Sequence, residues 1–177
     1  MAKNMGNKGF YTIPFVWSKK VWVITFAFFA IWLGVSVWLL CELFIAANAV
    51  APLTSLILFN AVMLPVMLWC EGYAPQRLEI GEDRIVVLRR YQSVVIRRDE
   101  IQSVERLPEN ALRGAIRTGG VGGLFGFYGK FYTRKIGSFS LYATGSENLF
   151  LIRKWDGTNI VISCSEPDKI IKVINGK

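Results

Sequence analysis

The segment from residue 113 to residue 135 is rich in glycine, basic residues and aromatic residues, a combination that could bind phosphate groups or a lipid surface. Glycine-rich loops that end in lysine can hold phosphate groups, because backbone N–H groups and the ammonium group converge on one anion. Here Gly129-Lys130 is followed by Phe131 instead of Ser or Thr, position 124 is Leu instead of Gly, and no G-x-G-x-x-G pattern occurs. The segment is therefore disfavoured as a nucleotide-binding loop.

Two other interpretations of this segment stay open. If it is a loop, its aromatic side chains are exposed beside basic ones, which suits contact with an anionic lipid interface. Alternatively, its glycines let strands or subunits approach closely in a tight crossover that binds a protein partner or a second copy of the chain. The predicted membrane or partner contacts are Arg113, Arg117, Leu124, Phe125, Phe127, Tyr128, Lys130, Phe131, Arg134 and Lys135.

The other reactive side chains do not form a catalytic or metal-binding pattern. The chain contains no histidine, which removes Ser-His-Asp and Cys-His pairs and all histidine-ligated metal sites. Asp99, Glu100 and Glu105 fall in strand and turn contexts without a nucleophile or base around them. The three cysteines lack the spacing of metal ligands. We therefore predict a protein that is not an enzyme and has no cofactor or metal.

Two long apolar runs must position these residues. Val21–Leu40 is a stretch of twenty residues without a charge, and a second uncharged run extends from Ala49 to Cys70. Each is long enough to cross the roughly 30 Å hydrocarbon core of a bilayer. We predict transmembrane helices at about 21–45 and 49–70, with Asn60 hydrogen-bonded to the first helix. Residues 1–20 would form a cytoplasmic or interfacial segment, and residues 71–76 a linker.

The distribution of positive charge predicts the orientation of these helices. Residues 41–48, which connect them, contain no Lys or Arg, whereas both outer flanks contain several. The positive-inside rule therefore places both termini in the cytoplasm and the chain in the inner membrane as a multi-pass protein. A secretory signal peptide with a cleavage site at Ala47-Asn48-Ala49 is the alternative. It is disfavoured because the apolar run exceeds the usual length of about 7–15 residues and Glu42 precedes the cut.

Beyond residue 76 the apolar residues alternate with polar ones, which indicates β-strands. About seven short strands are separated by turns such as Gly81-Glu82-Asp83 and Asp156-Gly157, a pattern typical of a sandwich or a partly open barrel. A helix start signal at Ser165 and Pro167, followed by an apolar stripe, predicts a C-terminal helix that packs against these strands.

Several segments of the last hundred residues carry a family resemblance. They are IRRDEIQSV (96–104), GGLFG (122–126), GKF (129–131), GSFSLYAT (137–144) and the closing strand, Asp-Gly turn, strand and Ser-Glu-Pro. In these features residues 77–177 resemble bacterial pleckstrin-homology (PH) domains attached to membrane helices. The resemblance implies a seven-stranded, partly open barrel closed by a C-terminal helix, in a membrane setting. It does not imply phosphoinositide binding, because the corresponding loop is the acidic Gly81-Glu82-Asp83.

The net charge of +8 fits an anionic membrane surface, an acidic partner or nucleic acid. Nucleic acid is disfavoured, because the membrane helices already account for a positive face and no RNA-binding signature occurs. We predict a non-catalytic binding or assembly module anchored at the inner leaflet. Its expected partners are the lipid bilayer, anionic lipid headgroups, a second protein or further copies of the chain. The alternatives are a lipid-headgroup sensor acting through residues 113–135 and a subunit of a larger membrane complex or transporter.

Overall fold

The computed structural model describes residues 11–175 as two long helices and a mostly-β domain. Strand β1 (Tyr11–Pro14) precedes helices α1 (Lys19–Ile45) and α2 (Val50–Tyr73). The domain then follows as β2 (Arg77–Ile80), β3 (Arg84–Leu88), β4 (Val94–Arg97), β5 (Ile101–Arg106), β6 (Ile116–Gly122), β7 (Phe127–Thr133), β8 (Gly137–Ala143), β9 (Leu149–Lys154), β10 (Asn159–Ser163) and α3 (Pro167–Asn175). The beginning of the predicted N-terminal segment, with Lys3 and Lys8, lies outside the described residues.

Helices α1 and α2 are long and apolar enough to cross a membrane, by length and composition. With 27 and 24 residues they extend roughly 40 and 36 Å, which exceeds the roughly 30 Å hydrocarbon core. Between them, Ser36 Oγ donates a long hydrogen bond of 3.5 Å to Asn60 Oδ1, which confirms the contact expected for Asn60. Both helices are therefore longer than a single crossing would require.

The buried residues of the two helices lie at one end of the helical pair. They are Val21 and Thr25 near the start of α1, and Met67, Cys70 and Gly72 near the end of α2. The start of α1 and the end of α2 are also the points where the chain passes between the helices and the strands. The β-domain therefore packs against this end of the pair.

The strands form two open sheets. The first has the order β1-β2-β3-β4 and the second β5-β9-β10-β8-β7-β6, with β10 and β8 parallel and the other pairs antiparallel. Leu78 and Ile85 of the first sheet pack in one core with Phe150 and Ile162 of the second, and all four are fully buried. Helix α3 closes this core with Ile170, which is fully buried as well.

The predicted fold class is confirmed: two N-terminal helices precede a mostly-β domain with a C-terminal helix and open sheets, consistent with a PH-like fold. The domain nevertheless has nine strands from β2 to β10 instead of about seven. The two additional strands, β6 and β7, come from the glycine-rich segment, which was considered as a loop. Their burial does not alternate regularly, because glycines occupy several of the positions where apolar side chains would mark a strand.

Strand β1 packs with the domain, although the sequence pattern predicts residues 1–20 as a cytoplasmic or interfacial segment outside it. It pairs antiparallel with β2, and Ile13, only 5% exposed, enters the core of the first sheet. The Tyr11 hydroxyl donates a hydrogen bond of 2.9 Å to Glu166 beside α3. This hydrogen bond, with Lys169 nearby, lowers the pKa of Glu166. Four residues ending in proline give too short an alternation to be recognised as a strand.

A substitution in β1 tests this assignment. We expect Ile13→Ala to lower the free energy of unfolding of the domain by about 2–4 kcal/mol, because buried methyl and methylene groups are lost. The matched control is Val16→Ala, since Val16 is 71% exposed and its truncation is expected to cost less than about 0.5 kcal/mol. Pulse proteolysis in urea, on the full chain in lipid nanodiscs, measures both. Equal effects of the two substitutions would contradict a place for β1 in the core.

Candidate functional site

The glycine-rich segment forms a β-hairpin, which we call the glycine hairpin: β6, the turn at residues 123–126, and β7. Its strands pair from Ile116 opposite Tyr132 to Gly122 opposite Phe127, with an irregularity between Arg117 and Gly119. The Gly123 N–H closes the turn by donating a hydrogen bond of 2.8 Å to the Gly126 carbonyl. The segment that the sequence marked as unusual is thus an ordered part of the second sheet.

Two glycines let the strands of this hairpin approach closely. Gly120 and Gly129 are opposite each other, with φ angles of 128° and 118° that favour glycine. A Cβ atom on Gly120 would lie 2.2 Å from the Tyr128 carbonyl oxygen, and one on Gly129 would lie 2.3 Å from the Gly119 carbonyl oxygen. The strands could not keep this spacing with any side chain at either position.

The turn of the glycine hairpin docks on helix α1. The backbone N–H of Phe125 donates a hydrogen bond of 3.1 Å to Thr25 Oγ1, and both residues are buried. The Phe125 ring packs edge-on against Trp17 and Phe29, with centroid distances of 5.9 and 6.2 Å. The threonine hydroxyl and the aromatic rings therefore hold the turn against the second and third turns of the helix.

Tyr128 connects the glycine hairpin to the end of helix α2. Its hydroxyl donates a hydrogen bond to the backbone carbonyl of Cys70. This carbonyl is one of the last four of the helix, and the Ala74 N–H that could have bonded it donates to Glu71 instead. Burial is the main cause that raises the pKa of Tyr128 above its ordinary value, so the phenol remains a hydrogen-bond donor at neutral pH.

The loop after β3 holds the same helix end from a second side. The Tyr91 N–H donates a hydrogen bond of 3.1 Å to the Gly72 carbonyl, and a Cβ on Gly72 would lie 2.0 Å from the Tyr91 ring. The guanidinium of Arg89 lies 5.5 Å from the ring centroids of both Tyr73 and Tyr142. The end of α2 is therefore enclosed by contacts from both sheets.

The remaining apolar residues of the predicted contact set also pack within the chain. Phe131 is 7% exposed and stacks on Phe139 with a centroid distance of 6.1 Å. Phe127 is half-buried against the same cluster, and Leu124 is half-buried beside Phe125 in the turn. The apolar half of the set is thus engaged with the chain's own helices and core.

The basic half of the contact set is exposed. Residues 110–146 contain five basic residues and no Asp or Glu. Within residues 11–175 none of the five takes part in an ion pair. They are Arg113, Arg117, Lys130, Arg134 and Lys135. We call Arg113, Arg134 and Lys135 the basic end, because these three line one cleft of about 580 Å³ where the hairpin is farthest from its turn.

The glycine hairpin runs from its docked turn back past the start of α1. Phe125 contacts Thr25, which lies seven residues, or roughly 10 Å, into the helix from Ser18. Phe127 pairs with the end of β8, and there the Thr144 carbonyl accepts a hydrogen bond of 2.9 Å from the Ser18 N–H. The six further residues of β7 lead away from this contact, with a contour length of roughly 20 Å. The basic end therefore lies at the opposite end of the hairpin from the docked turn.

A second cleft, of about 790 Å³, lies beside the start of α1. Lys19 and Lys20 line it together with Ser146 and Glu147 of the loop after β8 and with Ser165 before α3. Both lysines are exposed and stand at the helix end against which the domain packs. This cleft, unlike the basic end, lies at the level where the chain enters α1.

The described residues contain no group of three or more His, Cys, Asp and Glu side chains that could hold a metal ion. Cys164 is buried, and burial raises the pKa of its thiol to about 11, so at neutral pH it is a protonated, weakly reactive thiol. Asp99 forms an ion pair with Arg97, Glu100 with Lys154, and Glu105 with Arg153. Asp99 and Glu100 are neighbours in the turn between β4 and β5, Glu105 lies in β5, and each of the three carboxylates is paired with a cation.

Residues 76–177 match the family model of the bacterial PH domain. The chain belongs to the bacterial PH domain family. No curated protein and no solved structure matches it. PH domains are generally non-catalytic binding modules and often bind lipids or proteins. Strand β1 and the two helices lie outside the matched range, so their contacts with this bacterial PH domain are visible only in the structure.

The close approach in the glycine hairpin gives a testable difference between neighbouring glycines. We expect Gly129→Ala to lower the free energy of unfolding by more than about 2 kcal/mol, because its Cβ would overlap backbone and its φ is strained for alanine. Gly119→Ala is the control, since a Cβ there meets no atom within 4 Å. Urea-dependent proteolysis in nanodiscs measures both variants, and similar losses would show that the strand spacing does not require glycine.

The Tyr128 hydroxyl gives a prediction about pH. The pKa of Tyr128 is higher in the folded chain than in the unfolded chain. The neutral phenol therefore contributes fully to the free energy of unfolding below about pH 10, and this contribution is lost at higher pH because the unfolded chain ionises first. We expect Tyr128→Phe to cost about 1 kcal/mol at pH 7 and to lose less stability than the parent between about pH 9.5 and 11.5. Tyr132→Phe is the control, because Tyr132 is 43% exposed. Parallel pH profiles of parent and Tyr128→Phe would refute the role of burial.

Proposed function

We propose that this protein is a membrane-anchored, non-catalytic binding module that presents its bacterial PH domain to the cytoplasm in one fixed orientation. Two transmembrane helices anchor it in the inner membrane with both flanks on the cytoplasmic side. The basic flanks and the uncharged connection at 46–49 support this orientation through the positive-inside rule. The length and apolar composition of both helices support the double crossing.

The observation that carries the proposal is the division of the glycine hairpin into an apolar docked turn and an exposed basic end. The turn is attached to both helices through Thr25 and Cys70, so the domain cannot swing freely on a linker. The basic end lies at the opposite end of β7, which has a contour length of roughly 20 Å. In the proposed orientation we expect it to lie more than one Debye length, about 8 Å at physiological ionic strength, from the lipid headgroups. The partner of the basic end is a cytoplasmic protein or the cytoplasmic part of a neighbouring membrane protein.

Anchoring gives such a module a kinetic and thermodynamic advantage. Two partners confined to one membrane meet at a high effective concentration, so a weak contact at the basic end is sufficient for assembly. The fixed orientation adds to this, because less rotational freedom is lost when the partner binds. Assembly at the membrane therefore follows from ordinary surface electrostatics without a deep ligand pocket.

Contact with anionic lipid headgroups is the second candidate function, and the cleft beside the start of α1 favours it. Lys19 and Lys20 line that cleft at the helix end, where headgroups would lie if α1 crosses the bilayer. Lipid contact there is compatible with a protein partner at the basic end, since the two clefts share no residue.

Photo-crosslinking in native membranes separates the two functions. We expect a benzophenone side chain in place of Tyr132, beside the basic end, to form protein adducts that disappear when Arg134→Glu and Lys135→Glu are added. The same probe in place of Trp22, on α1, is expected to form lipid adducts. A probe in place of Trp155, which is 68% exposed on the turn after β9, controls for nonspecific crosslinking to proteins that collide with the domain. Lipid adducts alone at position 132 would overturn the proposed protein contact.

A further inference from the structure

Strand β6 is an open edge of the second sheet. It is the last strand in the order β5-β9-β10-β8-β7-β6, and within the described residues it is paired on one side only, with β7. Six of its seven residues are exposed, among them Ile116 at 64%. Gly119, Gly120 and Gly122 have no side chains to cover the outer row of backbone groups. An open edge of this kind is a template for another strand.

The other edge of the same sheet is protected. Helix α3 packs against β5, and the Asn175 side chain donates a hydrogen bond of 3.5 Å to the Val104 carbonyl. Protection of one edge and exposure of the other is what a sheet needs if it is to accept one additional strand in a defined place.

The charge around β6 indicates the chemistry of that strand. Arg117 lies on β6, Lys130 lies on its partner β7, and the basic end lies beyond them, with no acidic residue between positions 110 and 146. We propose that β6 binds an extended acidic segment of a partner protein as an additional strand of the second sheet. Backbone hydrogen bonds hold the segment, and its carboxylates pair with these cations. This inference rests on the proposed function and specifies its partner.

The same observations disfavour other occupants. Two copies of this chain paired through β6 would bring two sets of like charges together, which is unfavourable. Single-stranded nucleic acid needs several exposed aromatic platforms, whereas Phe125, Tyr128 and Phe131 are buried and Tyr132 alone among the hairpin's aromatic residues is exposed. A bilayer is disfavoured as the occupant because Arg113, Arg134 and Lys135 lie at the opposite end of the hairpin from the turn that docks on α1.

The test uses the full chain in nanodiscs of phosphatidylcholine and a fluorescent probe peptide of alternating Glu and Val. A peptide with Pro in place of Val keeps the charge but cannot extend a sheet, and one with Lys in place of Glu reverses the charge. We expect the Glu-Val peptide to bind at least about tenfold more tightly than either control peptide, by fluorescence anisotropy. Hydrogen exchange is expected to slow in β6 on binding and to stay unchanged in β4, an edge of the other sheet.

Charge variants complete the test. We expect Arg134→Glu with Lys135→Glu to weaken binding of the Glu-Val peptide at least about tenfold. Arg77→Glu with Lys172→Glu makes the same change in net charge at exposed positions outside this surface and is expected to leave binding within about twofold. Poly(U) RNA and phosphatidylglycerol vesicles serve as competitors, and displacement of the peptide at lower concentration than unlabelled Glu-Val peptide would overturn the assignment to protein.

The outcomes separate this inference from the proposed function. If charge-dependent binding occurs without protection of β6, or if the Pro peptide binds equally well, strand addition is overturned and a basic protein-binding module remains. If the peptide fails to bind while the Tyr132 probe still captures a protein in a charge-dependent manner, the partner is not an extended acidic segment. Loss of both signals overturns the proposed function as well.

Discussion

The structure depends on how the backbone carbonyl groups at the end of α2 are satisfied. The last four carbonyls of a helix have no partner within it, and an unpaired one is costly where it is buried away from water, as at Cys70 and Gly72. Here the Tyr128 hydroxyl bonds the Cys70 carbonyl and the Tyr91 N–H bonds the Gly72 carbonyl. Both donors belong to the β-domain, so satisfying the helix end and docking the domain are the same event. The position of the glycine hairpin follows from this constraint.

Much of the architecture could be predicted from the sequence, because it depends on local patterns. The two apolar runs, the alternation in β2 to β5 and the start signal of α3 each specify an element within a short window. The glycine hairpin could not be predicted in this way, since its glycines have no side chains to alternate and its spacing depends on the contact between Gly120 and Gly129. β1 was missed because four residues become a strand only beside β2, more than sixty residues away.

The candidate site was predicted as one set of residues but is divided in two by the fold. Sequence spacing identifies aromatic and basic side chains in one segment, yet it does not show which strand faces the helices. Phe125 and Tyr128 find partners on α1 and α2, contacts about 100 and 58 residues apart in sequence. Within residues 11–175 the basic residues have no ion-pair partners, and only the fold shows that Arg113, Arg134 and Lys135 meet at the end of the hairpin opposite its docked turn. Long-range packing therefore decides which side chains of the segment contact the helices and which remain exposed.

The pairing of β1 with β2 has a mechanical consequence. The two helices are inserted between these antiparallel neighbours, so the chain enters and leaves the helical pair through adjacent strands of one sheet. Two side-by-side connections between the helices and the domain resist rotation, whereas a single connection would let the domain rotate freely. If the helices span a bilayer as proposed, a change in their tilt, for example in a thinner bilayer, would therefore rotate the whole domain and displace its outer surface by more than the helices themselves move.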